Sequence, residues 1–281
     1  MTSKSIIVTG ACSGIGLAVV RHFASQPEGH QIALLDVNAG EGPGVAAKLA
    51  EEFPQVAGKT SFHKCDVSSW EEQTAVFKEV FALHGNRLDV VFANAGISEQ
   101  GVTTLVDREE GGEPTKPRLK VLEINLFGVV YSVKLAAFYM NKKPKGNDKS
   151  TASRGSIICT ASNAGLYPLP TAPLYAASKA GVVGLVRSTK QLIEDRKIQI
   201  NALAPAVLET NIAPSKDLFK PMIVTPMTTL IKGVDKFLQD PSLSGQIAEI
   251  HGESVTLRDA HEFVDEDSKK NIEMFWTLGY A

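Results

Sequence analysis

The chain has 281 residues, of which 43% are apolar and 21% charged, and its formal net charge is −2. This composition is typical of a globular protein with enough apolar material for a core, and the length suits one large α/β domain or two small ones. The charge excludes the basic surface that nucleic-acid binding requires, so we expect no nucleic-acid partner.

The scattered cysteines and histidines bear on compartment and on metal binding. Cys12, Cys65 and Cys159 lie far apart without a C-x-x-C pair, and two of them fall in or beside apolar runs, which indicates buried thiols in a reducing compartment. The chain enters an apolar strand directly, which leaves no room for a signal peptide. It contains no run of eighteen apolar residues, so we expect no membrane span. The six histidines have no metal-ligand spacing. We therefore expect a cytoplasmic protein with no membrane partner and no metal.

The first half of the chain alternates short apolar runs with helical patterns. The apolar runs, interpreted as buried strands, are Ser5–Thr9, 31–35, Thr60–Lys64 and 88–93. Helical patterns follow the first three of them, opening near Gly14 and spanning 41–53 and 69–83. Strands that alternate with helices of this length predict a parallel sheet covered on both faces.

The same alternation continues in the second half. Two polar loops, 99–117 and 141–154, flank a long apolar helix predicted over 118–140. The remaining elements are predicted strands at 156–159, 199–203 and 245–252 and a helix over 174–195. The sequence thus predicts an α/β protein with one doubly wound Rossmann-type domain over 1–281, whose parallel sheet has about seven strands with helices on both faces.

A glycine-rich turn joins the first strand to the first helix. Gly10, Gly14 and Gly16 occur in TGACSGIG. Glycine permits positive φ and a close approach of the backbone to a phosphate, and the helix N-terminus that follows offers free N–H groups to a pyrophosphate. The spacing G-x-x-x-G-x-G differs from the usual G-x-G-x-x-G fingerprint, but the physical reasons for the glycines are the same.

An acidic residue lies at the end of the second strand, where a nucleotide bound at the glycine turn would place its ribose. Asp36 ends the second strand, twenty residues beyond Gly16. A carboxylate there can accept hydrogen bonds from both ribose hydroxyls and would repel a 2′-phosphate, which predicts NAD as the cofactor. No cation is close in the sequence, because the nearest downstream lysine is Lys48. The alternative interpretation of Asp36 is a helix cap or a turn residue.

Tyr175 and Lys179 lie four residues apart, so they share one face of the predicted helix, and Ser162 lies in the loop before it. A hydroxyl, a phenol and an ammonium that converge can polarise a carbonyl and move a proton. Tyr139 and Lys143 have the same spacing, but Leu126 stands where the first pair has Ser162. We interpret that second pair as a half-buried tyrosine beside a solvated lysine.

Taken together and in this order, these motifs resemble the short-chain dehydrogenase/reductase family, over a stretch from Ser5 to about Gly252. Two matches depart from the family pattern: Ala93 stands where the N-N-A-G signature has its first Asn, and Ala206 stands where glycine is usual. The resemblance implies a dinucleotide-binding half over 5–96 and a catalytic half over 118–252. It also implies a substrate-covering segment over 208–240 and leaves a tail over 253–281.

The resemblance also assigns the site residues. It implies that Ser162 orients the substrate oxygen, that Tyr175 is the acid or base, that Lys179 holds the ribose, and that Asn125 anchors a water that relays protons. A cation about 4 Å from the phenol could be worth up to ~4 kcal/mol, which would lower the pKa of Tyr175 by at most ~3 units. The cofactor contacts implied are Gly10, Cys12, Ser13, Gly14, Ile15, Gly16, Asp36, Val37, Asp66, Val67, Asn94, Ala95, Gly96, Tyr175, Lys179, Pro205, Val207 and Thr210.

The function implied is an NAD-dependent oxidoreductase that acts on a secondary alcohol or its ketone, similar to the group that contains 15-hydroxyprostaglandin dehydrogenase. Apolar residues over 211–237 favour a hydrophobic small-molecule substrate. Two alternatives stay open, a non-catalytic NAD-binding protein and a pathway enzyme that uses the site for elimination, isomerisation or cyclisation. The helices 118–140 and 174–193 carry more apolar residues than one sheet face can bury, and with the resemblance this predicts a homodimer or homotetramer.

Overall fold

The computed structural model describes residues 2–99, 105, 113–142, 153–210 and 216–279. The second tyrosine–lysine pair lies partly outside this range, because Lys143 is not among the described residues. The same holds for most of the predicted loop 141–154 and for 211–215 of the predicted substrate-covering segment.

Eight strands form one sheet in the order β3-β2-β1-β4-β5-β6-β7-β8. The first seven are parallel to one another, and β8 runs antiparallel to β7. They are β1 Ser5–Thr9, β2 Gln31–Asp36, β3 Thr60–Lys64, β4 Val90–Ala93, β5 Gly155–Thr160, β6 Ile198–Pro205, β7 Ile247–His251 and β8 Ser254–Arg258. The predicted doubly wound parallel sheet is confirmed.

Helices cover both faces of the sheet. In the described residues they are α1 Gly14–Ser25, α2 Gly42–Glu52, α3 Trp70–Leu83, α4 Lys120–Lys142, α5 Pro173–Ile193, α6 Met227–Gln239 and α7 Glu266–Leu278. Side chains of α3, α4 and α5 form one buried cluster with the sheet. Side chains of α1, α2 and α6 form a second cluster on the opposite face. Both faces of the central strands are therefore buried, which accounts for their continuous apolar runs.

The long helix α4 changes its winding near its start. Lys120–Leu122 and Gly128–Lys142 are α-helical, and Glu123–Phe127 between them forms a π-helical turn. By length and composition alone, with a mean hydropathy of 1.6, α4 could also cross a membrane. Its buried side, which includes Val129, Val133 and Ala136, packs on the sheet in the same cluster as α3 and α5, as the core helix of an α/β protein does.

The C-terminal region contains two elements that the sequence did not predict. Strand β8 pairs along β7, with Val255 and Leu257 packed against the core while the residues between them face out. Helix α7 follows, capped by Asp265, whose carboxylate accepts a hydrogen bond from the backbone N–H of Ser268 at 2.7 Å. The short strand and the tail helix left little signal, because neither has a continuous apolar run.

Helix α6 lies within the segment 208–240 that we expected to cover the substrate. Leu230, Val234 and Phe237 on this helix are completely buried in the core cluster of the α1 face. Four side chains of the segment line the central cavity described below: Leu208, Thr210, Phe219 and Met222. The segment thus consists of a part beside the cavity and a part that builds the core.

We expect Phe237→Ala to lower the free energy of unfolding by about 3–5 kcal/mol, because truncation of a fully buried aromatic side chain leaves a cavity. Lys236→Ala, one residue earlier on the exposed side of α6, is the matched control and should change it by less than about 0.5 kcal/mol. Denaturant unfolding of both variants measures the difference. Equal stabilities would show that α6 does not belong to the core.

Candidate active site

A cavity of about 600 Å³ opens at the carboxyl ends of the central strands. The strand order reverses between β1 and β4, and in open parallel sheets ligands bind at this switch point. Most of the predicted site residues line the cavity: Gly10, Ser13, Gly14, Ile15, Asp36, Val37, Asp66, Val67, Asn94, Ala95, Gly96, Ser162, Tyr175, Lys179, Pro205, Val207 and Thr210. Three predicted residues, Cys12, Gly16 and Asn125, do not line it.

The glycine turn is closed by contacts that leave no space for side chains. Gly10 adopts a φ of +62°, and a Cβ atom at Gly16 would overlap the carbonyl group of Gly10. Asn94 at the end of β4 donates from Nδ2 to the carbonyl of Thr9 at 3.0 Å, so the turn is fixed to the neighbouring strand. Gly16 therefore serves the packing of the turn, although it does not line the cavity.

Asp36 is held by two backbone groups. One carboxylate oxygen accepts a hydrogen bond from the N–H of Cys12 at 3.0 Å, and the other accepts one from the N–H of Asn38 at 3.1 Å. Cys12 contributes this backbone N–H to the site. Its thiol is not an anion there, because burial and then the charge of Asp36 raise the pKa of the thiol to about 12. The carboxylate thus lies at the cavity wall with its orientation fixed.

The sheet places one lysine beside Asp36 that is distant from it in the sequence. Lys64 is the direct partner of Asp36 in the pairing of β2 with β3. Its ammonium group, however, donates to both carboxylate oxygens of Glu72 at 3.0 Å. The lysine charge is therefore already paired with an acid on α3.

Lys179 is a buried cation at the inner end of the cavity. It is 3% exposed, and its Nζ donates to the carbonyl of Thr160 at 2.8 Å. Burial lowers the pKa of Lys179 to about 8, and the neighbouring Cys159 opposes this change. The Oγ1 of Thr160 donates in turn to Asn94 Oδ1 at 3.0 Å, so β5 and β4 are joined directly beside the lysine.

Tyr175 lies one helical turn before Lys179, and the lysine Nζ is 5.6 Å from the centre of its ring. Burial raises the pKa of the Tyr175 phenol, and a hydrogen bond with Ser162 partly opposes the rise. The sequence argument predicted a lower pKa from the cation. In the protein without cofactor the pKa is shifted in the opposite direction, because the loss of hydration disfavours the phenolate.

Ser162 begins a short 3-10 turn, Asn163–Gly165, after β5. Its Oγ accepts a hydrogen bond from the N–H of Ala164 at 3.1 Å, which fixes the hydroxyl next to Tyr175. The side chain is 7% exposed. A serine at this place caps the turn and still faces the cavity.

Asn125 lies in the π-helical turn of α4, behind the cavity wall. Its Oδ1 accepts from the N–H of Ile97 at 2.8 Å and its Nδ2 donates to the carbonyl of Ile97 at 2.9 Å. The Nδ2 also donates to Ser178 Oγ on α5 at 3.3 Å. The amide therefore joins α4, α5 and the segment after β4, and the π-helical turn presents it there.

The cavity wall also contains the apolar side chains of Leu169, Ala172, Leu208, Phe219 and Met222. The predicted substrate-covering segment 208–240 supplies Leu208, Phe219 and Met222. The lining residues that the sequence did not indicate adjoin the recognised motifs: Ile97, Ser98, Ile124, Thr160, Ala161 and Ala172. Across the described chain, no group of three His, Cys, Asp or Glu side chains could hold a metal ion.

Comparison with known proteins agrees with this geometry. A family model for short chain dehydrogenase matches residues 4–220. The chain is 31% identical to the short-chain dehydrogenase/reductase prx7 of Penicillium rubens, over 91% of this chain and 94% of that protein. It is 30% identical to the 5'-hydroxyaverantin dehydrogenase of Dothistroma septosporum, over 98% and 90%, and 31% identical to the NADP-dependent dehydrogenase clz5 of Cochliobolus lunatus, over 77% and 74%.

Solved structures show the same fold. Levodione reductase superimposes with a TM-score of 0.72 at 25% identity, over 90% of this chain and 97% of that one. The NADPH-dependent 3-quinuclidinone reductase of Rhodotorula rubra gives a TM-score of 0.69 at 26% identity, over 90% and 91%. These comparisons confirm the resemblance inferred from the motifs, while the similarity to the 15-hydroxyprostaglandin dehydrogenase group stays a prediction.

Proposed function

The chain belongs to the short-chain dehydrogenase family of oxidoreductases, and we propose that it moves a hydride between NAD and a hydrophobic secondary alcohol or its ketone. The observation that carries the proposal is that Ser162, Tyr175 and Lys179 line one cavity, with Tyr175 next to both of the others. A hydroxyl, a phenol and an ammonium at one point are the groups that a carbonyl reduction or an alcohol oxidation needs.

The residues of the cavity fit a dinucleotide. Gly10, Ser13 and Gly14 line the cavity at the start of α1, where free backbone N–H groups can bind a phosphate. A Cβ atom at Gly10 would come within 2.9 Å of Ala95 Cα, so the turn needs glycine to pack this closely on the residues after β4. When bound, the nicotinamide supplies or accepts the hydride. Ser162 would orient the substrate oxygen, and Tyr175 would give a proton to it in reduction or take one from it in oxidation. Lys179 would hold the ribose and favour the charged form of the phenol.

We propose NAD in preference to NADP because of Asp36. Its carboxylate is fixed at the cavity wall by Cys12 and Asn38 and would oppose a 2′-phosphate. Lys64, which pairs with Asp36 in the register of β2 and β3, directs its charge to Glu72. Because clz5 and 3-quinuclidinone reductase use the phosphorylated cofactor, family membership alone does not decide the choice, and our proposal rests on the local charge.

We propose a hydrophobic, uncharged substrate. The cavity wall presents Leu169, Leu208, Phe219 and Met222. The titratable side chains of the wall are Asp36, Cys65, Asp66, Tyr175 and Lys179, and the first three belong to the ends of β2 and β3, away from Ser162. Among the described residues of the cavity wall, a charged substrate would thus find no partner near Ser162 apart from the catalytic groups.

We also propose a homo-oligomer in a reducing compartment such as the cytoplasm. Phe127, Val130 and Phe138 form an exposed apolar stripe on α4, at 37–48% exposure. Space for a partner is open at Gly184 on α5, where a Cβ atom would meet nothing within 4 Å. The reducing compartment is supported by the three cysteines, which are all unpaired.

We expect Tyr175→Phe to lose hydride transfer, with kcat about 10²–10⁴-fold lower because the acid–base group is gone, while cofactor binding is kept. Turnover and cofactor affinity are measured together on a panel of hydrophobic secondary alcohols and ketones. Tyr139→Phe is the control, because Tyr139 packs against Phe77 and Phe81 in the core, and it should stay close to wild type. Turnover by Tyr175→Phe near the wild-type rate would refute the assignment.

We expect Asp36→Ala to reduce the preference for NAD over NADP about tenfold or more, because it removes a charged hydrogen bond worth about 1.5–3 kcal/mol and the repulsion of the phosphate. The ratio of kcat/KM for the two cofactors is the measurement. Glu41→Gln removes a charge from the same loop without touching the cavity wall, and it should leave the ratio unchanged. Wild-type protein that used NADP as well as NAD would contradict the role of Asp36.

We expect light scattering at micromolar concentration to give the mass of a dimer or tetramer, and Phe127→Glu to shift it toward the monomer, because a charge in a buried apolar interface is costly. Leu83→Glu places a charge on an exposed residue of α3 and should not change the mass. A wild-type monomer would rule out the interface.

A further inference from the structure

The helix that carries Tyr175 and Lys179 has no cap from its own sequence. Helix α5 begins at Pro173, which has no N–H group, and the residue before it is Ala172, whose methyl group cannot accept a hydrogen bond. The N–H groups of Leu174 and Tyr175 therefore need an acceptor from elsewhere, because the first turn of a helix leaves its donors unpaired.

Glu99 provides that acceptor from a different part of the fold. Its Oε2 accepts a hydrogen bond from the N–H of Leu174 at 2.9 Å and a second from the N–H of Tyr175 at 3.0 Å. A carboxylate at a helix N-terminus forms charge-assisted hydrogen bonds and interacts favourably with the helix dipole. The contact therefore acts on the backbone of the acid–base residue itself.

The carboxylate is held in place at a cost. Its second oxygen, Oε1, is buried and makes no hydrogen bond within the described part of the chain. An unpaired buried acceptor costs about 1–3 kcal/mol. The two hydrogen bonds at Oε2 offset this cost and account for a half-buried acid at this position.

Glu99 also belongs to a segment that is fixed at a second point. Ile97, two residues earlier, exchanges two hydrogen bonds with the side chain of Asn125. Gly96 lies against the same groups, since a Cβ atom there would be 3.2 Å from Asn125 Oδ1 and 3.6 Å from Lys179 Nζ. Residues 96–99 thus connect the cofactor end of the cavity to the first turn of α5.

We propose that Glu99 is a positioning residue for Tyr175, which it places against the cavity by capping α5 through the segment 96–99. The proposal rests on the proposed function in assigning the proton transfer to Tyr175. Glu99 does not line the cavity and acts through the backbone of the helix. Loss of the cap loosens the first turn, where Tyr175 lies, more than the second turn, where Lys179 lies.

The test compares Glu99→Ala, which removes both hydrogen bonds, with Glu99→Gln, which keeps an oxygen that can accept them. We expect kcat of Glu99→Ala to fall about tenfold or more with little change in cofactor Kd, since a misplacement of about 1 Å can cost on the order of 100-fold in rate. Glu99→Gln should recover most of kcat. Hydrogen exchange followed by mass spectrometry should show faster exchange over 173–179 in Glu99→Ala than in wild type.

Asp265→Ala is the matched control, because Asp265 caps the exposed helix α7 in the same way. It should alter local exchange in α7 and leave kcat unchanged. Wild-type kcat in Glu99→Ala, or an equal loss in the alanine and glutamine variants, would overturn the proposal, as would unchanged exchange over 173–179. Tyr175→Phe is measured in parallel to separate the two proposals. If Tyr175→Phe is active, the proposed function is refuted, while hydrogen exchange over 173–179 in Glu99→Ala still tests whether Glu99 caps α5.

Discussion

A buried ammonium group sets the central constraint of this structure. A cation without water is costly unless it finds acceptors, and Lys179 finds the carbonyl of Thr160 at the end of β5. That residue is itself bonded to Asn94, which holds the carbonyl of Thr9 before the glycine turn. One chain of hydrogen bonds therefore runs from α5 through β5 and β4 to β1. Lys179 and the glycine turn therefore depend on the same alignment of β5, β4 and β1.

Burial also fixes the resting protonation of the site. It raises the pKa of Tyr175 and lowers that of Lys179, and both changes disfavour charge. The protein without cofactor thus keeps a neutral phenol next to a lysine whose pKa is lowered. A bound positive nicotinamide would act in the opposite direction on the phenol, because a nearby positive charge favours phenolate. If Tyr175 is the acid–base group, as we propose, cofactor binding would therefore favour release of its proton.

Much of the fold and of the site could be predicted from the sequence, for reasons that differ from residue to residue. The inner strands are buried on both faces, so β1, β2 and β5 appear as continuous apolar runs. Gly10 and Gly16 are visible because only glycine fits there, and Tyr175 and Lys179 because helix geometry fixes their spacing. Strand β8 faces solvent on one side and α7 is exposed, which left no apolar run to detect. The proximity of Lys64 to Asp36 in the sheet could not be predicted, because it depends on the register between β2 and β3 and not on the spacing along the chain.

The π-helical turn of α4 is a feature that no local sequence signal announced, and it bears on how the site is assembled. A regular helix would pair its own backbone groups and present side chains at fixed intervals, whereas a π-helical turn shifts one side chain around the axis and is frequent at functional sites. Here it directs Asn125 toward Ile97 and Ser178. The segment that follows β4 is then fixed to α4 by Asn125 and to α5 by Glu99. Residues 97–99 thus fix α4 and α5 relative to each other through hydrogen bonds at Ile97 and Glu99. Both helices also pack on the apolar face of the sheet, which limits their movement.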